Sequence, residues 1–236
     1  MATKRKAIQL ELPAPRTWGG RRAGAGRPVK EGRRNVRHSA RPAHREREPV
    51  HVVMRSRFRP LRSRFVFPTL RRALAQATRA RVGFRIVHFS VQADHLHLIV
   101  EASGKRALSR GIQGLSIRVA RAINRLVSRS GKVWADRYFA RALTSPRAVR
   151  RALVYVLNNF RKHRAPGVTR SDPYSSARYL DSSDLDSVLG ASAATSSRLN
   201  AHGLAPPSRE QCPVVEPKTW LLKVGWRRGV DAAYAG

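Results

Sequence analysis

The 236 residues carry 48 Lys and Arg against 14 Asp and Glu, a formal net charge of +34. That is far beyond what solubility requires, so a polyanionic partner is expected. A single cysteine, Cys212, excludes an intrachain disulfide and any cysteine-rich zinc finger, and the lack of both an apolar signal region and a run of about 18 apolar residues leaves a soluble, intracellular protein with no membrane partner as the expectation.

The length suits one domain of about 130 to 150 residues plus extensions, or at most two small domains. Residues 1–48 hold 14 basic and 4 acidic side chains, 49–180 hold 28 and 4, and 181–236 hold 6 and 6. The excess charge therefore belongs to the N-terminus and the middle. Residues 1–48, rich in Arg, Gly, Pro and Ala without an apolar period, read as a disordered basic arm. Within it, Gly24-Ala25-Gly26-Arg27-Pro28-Val29-Lys30 resembles the Gly-Arg-Pro core of AT-hook motifs, in which the arginine enters the minor groove of A·T-rich DNA. A tail that only touches phosphates is the plainer reading.

Val50 to Met54 predicts a first short strand, in which His51 reads as a half-buried strand residue rather than a metal ligand. Pro68 to Ala80 predicts a helix, with proline at its start and Leu70, Leu74 and Ala77 on one face. Phe84 to Phe89 alternates as a strand, Gln92-Ala93-Asp94 makes a turn, and the strand after it begins His95-Leu96-His97-Leu98-Ile99-Val100-Glu101. With a period of two, Leu96, Leu98 and Val100 form a side that can be buried. His95, His97, Ile99 and Glu101 point the other way, the two imidazoles about 7 Å apart at their Cα atoms and able to converge on one metal ion. The middle region has only four acidic residues, Asp94, Glu101, Asp136 and Asp172. A site built on three or more carboxylates thus has few residues to draw on.

Lys105 to Arg129 predicts the longest helix, with a buried stripe of Leu108, Ile112, Leu115, Val119, Ala122 or Ile123, and Leu126. Arg118, Arg121, Arg125 and Arg129 recur on another face without an intervening carboxylate, which favours a phosphate-tracking surface over a merely solvated one; Gly131 is read as the stop. Tyr138 to Leu143 predicts a strand. Ser145 as N-cap and Pro146 in the first turn then open a helix running to about Lys162, with Val149, Leu153, Val156 and Phe160 toward the core and Tyr155 and Asn159 four apart beside them. Taken alone, Tyr155 is an ordinary core-edge residue. Asp181 to about Pro217 reads as a linker, and Trp220 to Arg228 offers apolar surface to dock on the domain or on a partner. The expected division is 1–48 arm, 49–180 domain and 181–236 linker and tail.

The order strand, helix, strand, strand, long helix, strand, helix suits a ferredoxin-like α+β fold, an antiparallel sheet with helices packed on one face. His95-Leu96-His97 on a strand, a basic helix, and Tyr155-Val156-Leu157-Asn158-Asn159 on a later helix resemble the single-tyrosine HUH transposases, and within them the REP-associated tyrosine transposases. The likeness spans about Val50 to His163. It implies a metal-dependent single-stranded DNA endonuclease and transposase that cleaves and rejoins DNA, often beside a hairpin, through a 5′-phosphotyrosine link. By the same resemblance Tyr155 would be the nucleophile, and His95, His97 and Asn159 would hold a divalent metal, Mg2+ or Mn2+. Tyr138 is a competing nucleophile without an Asn or Gln four residues onward.

A phenol is mostly protonated at neutral pH and a scissile phosphate needs its charge spread, so cationic surroundings suit both. The family segment typically continues after its asparagine with a proline, whereas Phe160-Arg161-Lys162-His163 prolong the helical pattern here. His163 thereby becomes a candidate DNA contact beside Arg27 and the four helix arginines. The expected partner is single-stranded or hairpin DNA, the state a monomer or homodimer, and the place the cytoplasm in association with the nucleoid. The alternatives are a non-catalytic basic nucleic-acid-binding protein and a host-adapted hairpin DNA binder that no longer cuts.

Overall fold

The computed structural model describes residues 44–80, 82–159, 172–180, 182–189 and 212–230. Four strands, Val50–Arg55 (β1), Phe84–Val91 (β2), His95–Ala102 (β3) and Phe139–Ala142 (β4), form one antiparallel sheet in the order β2-β3-β1-β4. Between them run the helices Phe67–Arg79 (α1) and Lys105–Leu126 (α2). Strand–helix–strand–strand–helix–strand with β1 and β3 central is the expected ferredoxin-like α+β arrangement.

Period-two alternation decides which side of each strand is wet. Val50, Val52 and Met54 of β1, and Leu96, Leu98 and Val100 of β3, join Leu70 and Leu74 of α1 and Ile112, Leu115, Val119 and Ile123 of α2 in one apolar core. Helix α2 comes so close at Gly111 that a Cβ there would sit 2.2 Å from the ring of Phe84. α1 and α2 thus share one face of the sheet, as expected of helices packed on one face.

The opposite, histidine-bearing face receives a third helix, Pro146–Asn158 (α3). Ser145 caps it as expected, its Oγ accepting from the N–H of Ala148 at 3.2 Å, with Pro146 in the first turn. Val149, Ala152, Leu153, Val156 and Leu157 of α3 pack on Val87 and Ile99 of the sheet in a second core. β2 bulges between Ile86 and His88, so that Val87 and His88 both lie on that side.

Two segments depart from the sequence expectations. α2 ends at Leu126, not Arg129, because Ser128 turns left-handed at φ 47° and the N–H of Arg129 donates to Asn124 O. Inside the stretch read as linker, Ser182–Leu189 is a helix (α4), whose Val188 joins the second core and whose Asp184 pairs with Arg227. The C-terminal segment docks on the domain itself. Trp220–Lys223 is a short helix (α5), and Leu221, Leu222 and Trp226 bury themselves against the α3 core. Lys218 and Thr219 donate their backbone N–H groups to the buried carboxylate of Glu101, at 2.9 and 2.7 Å. Among the described residues no helix is long and apolar enough to cross a membrane.

Candidate active site

The register of β1 on β3 places His51 opposite Ile99 and Val53 opposite His97, so His51 and His97 are diagonal neighbours on one face. Their rings stack at 5.4 Å between centroids, and His51 Nε2 meets His97 Nδ1 at 3.2 Å. His95 stands edge-on to His97 at 4.6 Å, and its Nδ1–H donates to Asp94 Oδ1 at 2.7 Å. Asp94 is in turn paired with Arg59 at 2.6 Å, and the hydrogen bond from His95 holds its carboxyl below the usual carboxylate range.

Both predicted ligand histidines therefore have Nδ1 occupied and Nε2 turned elsewhere. His97 is 2% exposed, yet among the described residues its Nε2 has no hydrogen-bond partner. A buried polar atom left this way costs about 1–3 kcal/mol unless something coordinates it. An imidazole anchored at Nδ1 by a carboxylate or another acceptor, with Nε2 open, has the chemistry of a metal ligand. Burial, then the nearby His95 and His51, push His97 down to about 3; burial and the charge of Arg141 push His51 down to about 4. Both rings are neutral at physiological pH, as ligation requires.

Helix α3 supplies the tyrosine. Val149, Ala152, Leu153 and Val156 fix its rotation by packing down on Val87 and Ile99, which turns Tyr155 onto the flank facing the histidines. The Tyr155 ring meets His97 edge-on at 5.2 Å and His51 at 6.0 Å and remains 41% exposed. Asn159, one turn on, is buried. Tyr138 instead packs against the core on the α1 and α2 side. The sheet thus separates the competing tyrosine from the imidazoles.

Arg118, Arg121 and Arg125 lie on α2, across the sheet from Tyr155. Arg129 lies past the helix end, over the Phe58 ring at 5.6 Å and donating to Lys132 O. Arg27 and His163 fall outside the described residues. The geometry adds basic residues that spacing along α2 did not indicate: Arg147 and Arg151 are exposed on α3 at four-residue steps before Tyr155, and Arg55 and Arg141 are cross-strand partners of His95 and His51. The four-residue step from Tyr155 was the signal for the first two.

Among the described residues no three His, Cys, Asp or Glu side chains form a group that could hold a metal ion. Two of the carboxylates have other tasks, Glu101 with the C-terminal segment and Asp172 in a bidentate pair with Arg62 at 2.7 Å. Any ion here would rest on the two imidazoles and a ligand of another kind.

Residues 48–159 match the protein family described as Transposase IS200 like. Among solved structures, the chain is similar to the REP-associated tyrosine transposase bound to a REP hairpin, at 19% sequence identity and a TM-score of 0.49, covering 61% of this chain and 84% of that one. No curated protein matches the chain.

Proposed function

From the transposase IS200-like domain formed by residues 48–159, we propose that this chain cleaves and rejoins single-stranded DNA through a covalent link to Tyr155. The observation that carries the reading is the contact of Tyr155 with His97, on the face that also holds His95. His95 and His97 through Nε2, and Asn159 through its amide oxygen, would hold a divalent cation. The orphaned Nε2 of His97 and the two occupied Nδ1 atoms fit that role. When bound, Mg2+ or Mn2+ supplies Lewis-acid polarisation of the scissile phosphate. Three neutral ligands leave the ion its full positive charge toward that phosphate.

The Tyr155 oxygen attacks phosphorus as the phenolic proton passes to water. The new O–P bond gives a 5′-phosphotyrosine, and the P–O3′ bond breaks with its electron pair on the 3′-oxygen, which takes up a proton. A second 3′-hydroxyl reverses the step and rejoins DNA. Arg147 and Arg151 on α3 and Arg55 and Arg141 on the sheet hold the strand by its phosphates. Arg118, Arg121, Arg125 and Arg129 form a second basic surface for flanking DNA, to which Arg27 and His163 add contacts. A hairpin beside the cleavage site is the substrate this reading favours, and the similar solved structure is of a protein bound to one.

The test is incubation of the protein and Mn2+ with labelled single-stranded hairpin DNA. A covalent adduct should form, vanish in Tyr155→Phe with DNA affinity kept within a few-fold, and vanish in His95→Ala, in His97→Ala and in excess chelator. Asn159→Ala should retain part of the activity. An adduct that survives Tyr155→Phe and is abolished by Tyr138→Phe overturns the assignment; hairpin binding without any adduct favours a host-adapted DNA binder.

A further inference from the structure

Among the described residues α3 packs mainly over β2 and β3 and touches the β1–β4 half of the histidine face through the Tyr155 ring at His51. Strand register settles what lies there. Val53 is the partner of His97 on one side and of Phe139 on the other, and His51 is likewise the partner of Ile99 and Arg141. Cross-strand partners share a face, so Phe139 and Arg141 point the same way as the histidines. At about 4.8 Å per strand, Arg141 is one strand from His51 and Phe139 two strands, about 10 Å, from His97.

Phe139 is 60% exposed, on an edge strand whose neighbouring Ala140 packs toward the α1 and α2 core. A single exposed phenylalanine is not unusual. Its cross-strand neighbour is the half-buried Val53, and the exposed side chains around it are cations: Arg141 two residues along the same strand, and Arg55 beside His95 on the same face. An apolar protein partner would want a larger continuous apolar patch than one ring. An aromatic plane between guanidinium groups suits a nucleotide, whose base stacks while its phosphates pair. A base inside a duplex has both planes covered, so the occupant must be unpaired.

We propose that Phe139 is a stacking platform for one unpaired base of the DNA strand, with Arg55 and Arg141 holding the adjacent phosphates, so that the β1–β4 half of the sheet is a single-strand subsite beside Tyr155. This deepens the reading above and rests on it for the identity of the strand.

Binding is measured without cleavage, on the full chain carrying Tyr155→Phe and without metal, using a hairpin with single-stranded flanks and the same hairpin with blunt ends. In that background Phe139→Val, which keeps a strand-forming residue, should weaken binding of the flanked hairpin about tenfold and of the blunt one less than twofold. Phe139→Trp should retain the affinity. An abasic nucleotide scanned along the flanks should cost the same factor at one position in the parent, and nothing further at that position once Phe139 is Val. Equal weakening on both DNAs, unchanged affinity of Phe139→Val, or an abasic penalty indifferent to residue 139 each overturns the subsite. Absence of the covalent adduct in the cleavage assay would instead overturn the nuclease reading and leave the binding result standing.

Discussion

His51 Nε2 lies 3.2 Å from Nδ1 of His97, so a strand residue with no evident task holds the most buried imidazole of the site. With the Nδ1–H of His97 donating to His51, the lone pair of His97 is fixed at Nε2. His51→Gln should therefore weaken metal affinity by about 10- to 100-fold and be rescued by raised Mn2+. Calorimetric titration of Mn2+ checks it, and an unchanged affinity would show that His97 needs no such support.

Acid should destabilise the fold through its neutral histidines. Burial pushes His88 down to about 4, as it does His51, and His97 goes to about 3, whereas an ordinary histidine titrates at 6.5. Between those values the unfolded chain binds more protons. Stability present above pH 6.5 is thus lost as pH falls toward 4, at up to about 1.4 kcal/mol per pH unit for each group. Denaturant unfolding of metal-free protein at several pH values should show this slope, and His88→Gln should lower it by about one proton.

The candidate site was legible in sequence where it depended on local period, and hidden where it depended on register. His95 and His97 share a strand face, and Tyr155 and Asn159 share a helical step, so spacing alone brings each pair together. His51 meets His97 only through the β1–β3 alignment, across 46 positions, and Phe139 and Arg141 enter only through β1–β4. The α2 arginines show the converse: their spacing was readable, but nothing local says which side of the sheet a helix will cover.

At Gly111, α2 approaches the sheet so closely that a Cβ would fall 2.2–2.6 Å from ring atoms of the fully buried Phe84. Gly111→Ala should cost about 1–3 kcal/mol by overpacking, outweighing the gain in helix propensity. A thermal unfolding midpoint at or above that of the parent would mean the ring can move aside.

Glu101→Ala should loosen the C-terminal segment, because the N–H groups of Lys218 and Thr219 lose their acceptor and Arg85 loses its carboxylate partner at 3.3 Å. Each hydrogen bond to a charged group contributes about 1.5–3 kcal/mol. Limited proteolysis should cut the variant before Trp220 much faster than the parent, and equal rates would assign the anchoring to Leu221, Leu222 and Trp226 alone.

Deleting residues 1–47 removes most of the N-terminal excess charge. DNA affinity should drop and its dependence on salt flatten, the log–log slope falling by about 0.7–0.9 for each phosphate that the arm had neutralised. The Tyr155 adduct should survive. A greater loss on A·T-rich than on G·C-rich flanks would assign Arg27 to the minor groove, equal losses would leave a polycationic tail, and an unchanged slope would remove the arm from binding.

Every candidate ligand and the proposed nucleophile have been synthesised by Asn159, yet the helix that carries Tyr155 shares its core with Leu221, Leu222 and Trp226, more than sixty positions later. On the ribosome, a chain that ends at Asn159 still lacks the three side chains that cover that surface of α3. Those three side chains are worth about 1.5–3 kcal/mol each when buried. The tyrosine is therefore seated late in synthesis, and a prematurely terminated product would carry the whole chemical constellation without the wedge that holds it in place.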